Sequence, residues 1–133
     1  MGVPKIQLSS AETELMQNAS VILTKNSVLQ KIKMLLEEVQ EQQLDFVSQH
    51  NLDKTGFFLV PPKISKGENY SGLPYLIQDY PRITSAKNIF FIRNMFWWGN
   101  FFSSTLQFLN PFESLPYRGR FRGGRSSHST TVL

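Results

Sequence analysis

The chain has 133 residues, 41% hydrophobic and 18% charged, which suits one domain with an ordinary core and is too apolar for a disordered chain. It contains no cysteine, so disulfide stapling and thiolate metal sites are excluded. The formal net charge of +4 belongs entirely to residues 114–133, because residues 1–113 hold ten Lys plus Arg and ten acids; a neutral body has no long-range field to draw a polyanion.

The opening residues, "MGVPKIQLSS", lack the basic start and long apolar run of a secretory leader, and Ile6 stands where a myristoylation signal wants Ser or Thr. A cytoplasmic location is therefore the expectation. Residues 8–50 read as helical. Ser9 and Glu12 form a capping-box pair, and Leu8, Ala11, Leu15, Ala19 and Ile22 recur at helical spacing. The pattern loses register around "TKNS" and restarts at Ser27, so two helices or one kinked helix end near Asn51. Lys33 and Glu37 are placed to pair at i,i+4. The second stripe, Leu29, Ile32, Leu36, Val39 and Phe46, is too short for a firm coiled coil, and Gln43 falls where an apolar residue would continue it. Packing of these helices on a sheet is expected, with a dimer through residues 8–50 as the alternative.

Beyond the helix exit "NLDKTG", residues 57–109 read as sheet-rich. "FFLV" is predicted as a short strand stopped by Pro61-Pro62, "KISKGENYSG" as a polar loop, and "LPYLIQDYPR" as a strand. Ser85 is read as the cap of a short helix through "AKNIFFIRN", although that segment is equally rich in strand formers. After Gly99-Asn100, Phe102, Ser104, Leu106 and Phe108 alternate with Phe101, Ser103, Thr105 and Gln107, the pattern of a half-buried strand and the second arm of a hairpin.

The last 20 residues, 114–133, change character. They carry Arg118, Arg120, Arg122 and Arg125 among Gly and Ser, with no Lys, whereas the body uses eight Lys and two Arg. Three readings compete: a disordered end, an arginine-glycine nucleic-acid arm, and sequence that replaces a natural C-terminus.

Catalytic and metal signatures are sparse. His50 and His128 are the only histidines, so no metal site and no cofactor are expected. "GENYSG" spaces two glycines like a phosphate loop, but Leu73 stands where its lysine belongs. The best polar constellation is Asp79, Tyr80, Arg82 and Arg93, with Glu68 just upstream. An arginine beside aromatic residues can clamp an anion or stack on a ring, and the plainer reading pairs Asp79 with one of them. Phe90 to Phe112 contains nine aromatics in 23 residues, but seven Asn, Ser, Thr and Gln residues interrupt the uncharged part, which argues against a membrane span. In an extended segment, adjacent Trp97 and Trp98 point to opposite faces.

The block from "ENYSGLPYLIQDYPR" through "IRNMFWWGNFFSSTLQ", residues 68–107, resembles a segment of uncharacterised bacterial proteins of the Bacteroidota. The resemblance implies a bacterial cytoplasmic protein and carries over no functional residue. The resulting expectation is an α+β domain over residues 1–113, an N-terminal helical pair packed on a small, mostly antiparallel sheet, followed by a disordered tail at 114–133. Its leading function is a non-catalytic binding or protein-interaction module using Tyr80, Arg82, Arg93, Trp97 and Trp98. The alternatives are an enzyme holding a small anionic molecule through Arg82 and Arg93, with Asp79 or Glu68 as base, and nucleic-acid contact through the tail arginines.

Overall fold

Helix formation starts where Ser9 satisfies the first free backbone amides. In the computed structural model, which describes residues 2, 4–85, 87–109 and 128–132, the Glu12 amide donates to Ser9 Oγ at 3.1 Å, and the Ser9 amide donates back to Glu12 Oε2 at 2.7 Å. This reciprocal cap opens helix α1, Ser10–Gln17. Asn18 leaves helical geometry (φ −102°, ψ 86°) and accepts from Ser20 Oγ, and helix α2 follows as one element, Ala19–Gln49. The break thus lies at Asn18 and not at "TKNS". The residues of that segment cost only a few tenths of a kcal/mol each in a helix, too little to stop a 31-residue element. Lys33 and Glu37 pair at 3.8 Å, and Asn51, with φ 54°, ends the helical path.

The chain divides into two compact units, residues 1–31 and 32–133, and the boundary falls within the sequence of α2. In the first unit no residue of α1 is buried, and Leu15, Met16, Val21, Ile22 and Leu23 are exposed.

The second unit is the antiparallel sheet with the C-terminal part of α2 on one face. Strands β1 (Lys63–Tyr70), β2 (Leu73–Thr84), β3 (Ile89–Trp97), β4 (Phe102–Leu109) and β5 (His128–Val132) follow one another in a meander of order β1-β2-β3-β4-β5. Three expectations are corrected here. "KISKGENYSG" is no loop: it supplies β1, an edge strand whose solvated side chains need no apolar alternation, and Ser71 and Gly72, both at positive φ, turn it into β2. "FFLV" is no strand. Gly56–Phe58 form a 3-10 turn that brings Phe57 and Phe58 edge-on to Phe90, at 5.4 and 6.3 Å between ring centroids. The segment after Ser85 is β3 and not a helix, because pairing on both sides by β2 and β4 rewards its β-branched and aromatic residues. The hairpin at Gly99-Asn100 is present, with Gly99 at φ 74°. The expected flexible tail falls mostly on residues outside the described ones, while His128–Val132 pair with β4.

Strand register sets two distinct faces. Leu76, Gln78 and Tyr80 of β2, with Ile92, Asn94 and Phe96 of β3, lie on the face beneath α2. That face holds the buried residues of the sheet among the described side chains, and Leu36 and Val47 are the buried positions of the helix. A chain of side-chain amides crosses this core. Asn94 Nδ2 donates to Gln78 Oε1 at 2.8 Å, Gln78 Nε2 donates to Gln43 Oε1 at 2.7 Å, and Gln43 Nε2 donates to the Tyr80 carbonyl at 3.2 Å. Gln78 is 0% exposed, so the two bonds it makes replace water that cannot reach it. Gln43 therefore interrupts the apolar stripe because it is the helix's hydrogen-bonding tie to β2, at Gln78 and at the Tyr80 carbonyl. One turn earlier, Gln40 Oε1 is buried without a hydrogen-bond partner among the described residues.

These two glutamines should respond in opposite directions. Gln78→Leu leaves the Gln43 carbonyl and the Asn94 amide stranded and should lower stability by about 2–5 kcal/mol in urea unfolding. Gln40→Leu removes an unpaired carbonyl and should raise stability by about 1 kcal/mol. A loss of equal size in both variants would show that the amide chain has no special role.

Candidate functional site

The outer face of the sheet, opposite α2, is built from Tyr75, Ile77 and Asp79 of β2, Phe91, Arg93, Met95 and Trp97 of β3, and Ser103, Thr105 and Gln107 of β4. None of these side chains is buried, in contrast to the α2 face. At one end Arg93 directs two parallel hydrogen bonds at Asp79, Nε to Oδ1 at 2.8 Å and Nη2 to Oδ2 at 3.0 Å, from directly opposite positions on β3 and β2. The pairing raises the Arg93 pKa, against the opposing effect of burial. With Arg93 43% exposed, the pair contributes only about 0.5–1 kcal/mol, and its main effect is to fix the strand positions. The Arg93 guanidinium also lies 5.4 Å from the Phe91 ring centroid. Arg82 pairs in register with Phe91 and donates from Nε to the Pro61 carbonyl.

At the other end of this face, Trp97 Nε1 donates to the Tyr70 carbonyl at 2.9 Å and its ring packs edge-on to Tyr70 at 4.9 Å. Tyr70 in turn meets Tyr75 at 6.0 Å. The Tyr75 ring lies over Gly67, where any side chain would collide with it, so the glycine leaves the space that the ring fills.

The five predicted contact residues therefore separate. Arg82, Arg93 and Trp97 share the outer face, with Trp97 four residues along β3 from Arg93, about 13 Å away at strand rise. Tyr80 and Trp98 belong to the other side: Tyr80 is buried against Phe58, and Trp98 packs edge-on to Phe96 at 6.2 Å. The catalytic candidates separate as well. Both Asp79 oxygens accept from Arg93, and Glu68 lies five residues along β1 from Lys63, the register partner of Asp79, about 16 Å away. That geometry commits the Arg93 fork to Asp79 and places Glu68 apart from it. The tail arginines Arg118, Arg120, Arg122 and Arg125 lie outside the described residues. No group of three His, Asp or Glu suited to a metal occurs among the described residues; His50 stacks on Phe46 at 4.1 Å and its Nδ1 lies 2.9 Å from the Phe46 carbonyl oxygen. No described helix is long and apolar enough to cross a membrane.

A second feature was not legible in the sequence. Between the pairs Asp79↔Arg93 and Arg82↔Phe91, two residues of β2, Tyr80 and Pro81, stand against the single Ile92 of β3. Beside this β-bulge, between β2 and the helix, lies a cleft of about 330 Å³. It is lined by Val39, Gln42, Gln43, Phe46 and Val47 of α2, by Phe58, and by Tyr80, Pro81 and Ile92 of the bulge itself. The only sequence signal for it was the misplaced Gln43.

The chain matches no protein-family model, no curated protein and no solved structure. Burial, reinforced by the negative charge of Asp53, pushes the Tyr80 phenol above its ordinary pKa of 10.0. As pH rises past about 10 the unfolded chain releases this proton while the folded chain retains it, so stability present below that pH is lost above it. Tyr80→Phe should reduce the fall in unfolding midpoint between about pH 9 and 11 relative to wild type; identical slopes would show that the phenol titrates freely.

Proposed function

We propose that this chain is a non-catalytic binding module that contacts a protein partner through the outer face of its sheet. The observation that supports the reading is a sheet whose buried residues, among the described side chains, lie under α2, while the opposite face presents Phe91, Met95, Ile77 and Trp97 at partial exposure. Aromatic and Arg side chains are the usual anchors of protein interfaces, and here they stand on a rigid, strand-paired frame. The Asp79–Arg93 pair favours a protein partner over a small anion, since the guanidinium fork is already occupied by a carboxylate. It also weighs against an enzyme of anionic substrates. A cytoplasmic, bacterial setting accords with this reading through the sequence resemblance of residues 68–107.

A photo-crosslinking amino acid in place of Met95 should capture a discrete partner in cells, and the same residue in place of exposed Leu59 should not. Trp97→Ala should diminish the Met95 adduct without unfolding the chain, because the side chain is only partly buried. Adducts of equal yield at both positions would reject the outer face.

Self-association through residues 8–50 has separate support. Leu15, Met16, Val21, Ile22 and Leu23 leave a large apolar surface in contact with solvent in the first unit. If a second copy covers it, Leu15→Glu with Leu23→Glu should shift the species seen in light scattering from dimer to monomer while leaving the sheet's near-UV spectrum unchanged. A wild-type chain that is already monomeric removes this reading.

A further inference from the structure

We infer that the cleft beside the bulge is a binding site for a small, uncharged, mainly apolar molecule of two or three rings with one hydrogen-bonding group. The site lies on the opposite side of the sheet from the surface proposed above and does not depend on it. Three observations carry it. The volume, about 330 Å³, falls at the lower end of the roughly 300–1,000 Å³ of small-molecule sites. The lining consists of aliphatic and aromatic side chains with two amides and no charged group, so an ion entering would lose its hydration without a counter-charge. The walls are fixed. Gln43 is tied to the Tyr80 carbonyl and to Gln78, and Tyr80, Pro81 and Ile92 are held by strand pairing on either side of the bulge. These hydrogen bonds and strand pairings oppose the collapse of the hollow.

The rim of the cleft is consistent with traffic from solvent. Phe46 is 56% exposed although it is a large aromatic residue on the sheet side of α2, and Gln42 beside it is also exposed. A bound ring system would cover Phe46. The Gln42 amide can donate to or accept from the polar group of such a ligand, which leaves the tied Gln43 undisturbed.

A matched pair of fluorescent probes tests this on the full chain. N-phenyl-1-naphthylamine is uncharged, and 1-anilinonaphthalene-8-sulfonate is the same ring system with a sulfonate added. The neutral probe should bind saturably with one-to-one stoichiometry, and the sulfonate at least about tenfold more weakly. Val39→Phe, which puts a ring into the cleft, should weaken the neutral probe by about tenfold or more. Should Val39→Phe fail to fold, Gln42→Trp closes the same mouth from an exposed position and should have the same effect. Absence of saturable binding of the neutral probe, equal affinity for the two probes, or wild-type affinity in a folded Val39→Phe or Gln42→Trp variant would each overturn the assignment.

Discussion

The second unit depends on one constraint: a helix must be held at a defined position over a sheet whose core is small. Among the described residues Leu36, Val47, Leu76, Tyr80 and Pro81 are the buried apolar ones there, and apolar contacts alone tolerate sliding, since they are non-directional. The amide chain Asn94–Gln78–Gln43–Tyr80 removes that freedom. A shift of the helix by one residue would break both bonds of Gln43 and leave the buried Gln78 amide without its acceptor. Polar groups at the centre of this core thus specify its arrangement, and the apolar contacts supply cohesion.

The same tie explains why the cleft exists. Gln43 bonds to the carbonyl of Tyr80, the first residue of the bulge. The bulge therefore cannot flatten toward the helix without breaking that bond, and the helix cannot settle into the gap without breaking the bond to Gln78. Phe58, packed edge-on to Tyr80 at 5.8 Å, closes one side. Space that close packing would otherwise remove is retained by a hydrogen-bonded frame.

The two sheet faces serve different ends for the same reason. Alternation sends Gln78, Tyr80 and Asn94 inward, and Ile77, Asp79 and Arg93 outward. Inward, polar groups are paired with one another and with the helix. Outward, the Asp79–Arg93 fork and the Trp97–Tyr70–Tyr75 group organise side chains that remain partly open. A cross-strand ion pair in this position orders the surface at little energetic gain.

Local chemistry was legible in the residues themselves. The Ser9–Glu12 cap, the Lys33–Glu37 pair, the Gly99-Asn100 hairpin and the alternation of β4 all follow from interactions that span a few residues or one turn. Trp97 and Trp98 also divide between two sides, as adjacent residues of an extended segment do, with Trp98 one residue past the end of β3 and packed on Phe96. Where a segment's state depends on its neighbours, the residues misled. Lys63–Tyr70 is a strand because β2 lies beside it, and Ile89–Trp97 is a strand because β2 and β4 enclose it. Gln43 looked like a flaw in a helical stripe until Gln78 and Tyr80, some 35 and 37 residues away, supplied its partners. The amino-acid sequence by itself determined the caps, turns and alternation, because those energies are local. The tertiary structure alone decided the bulge, the cleft and the paired amides, because each needs groups that meet only when the sheet is assembled beneath the helix.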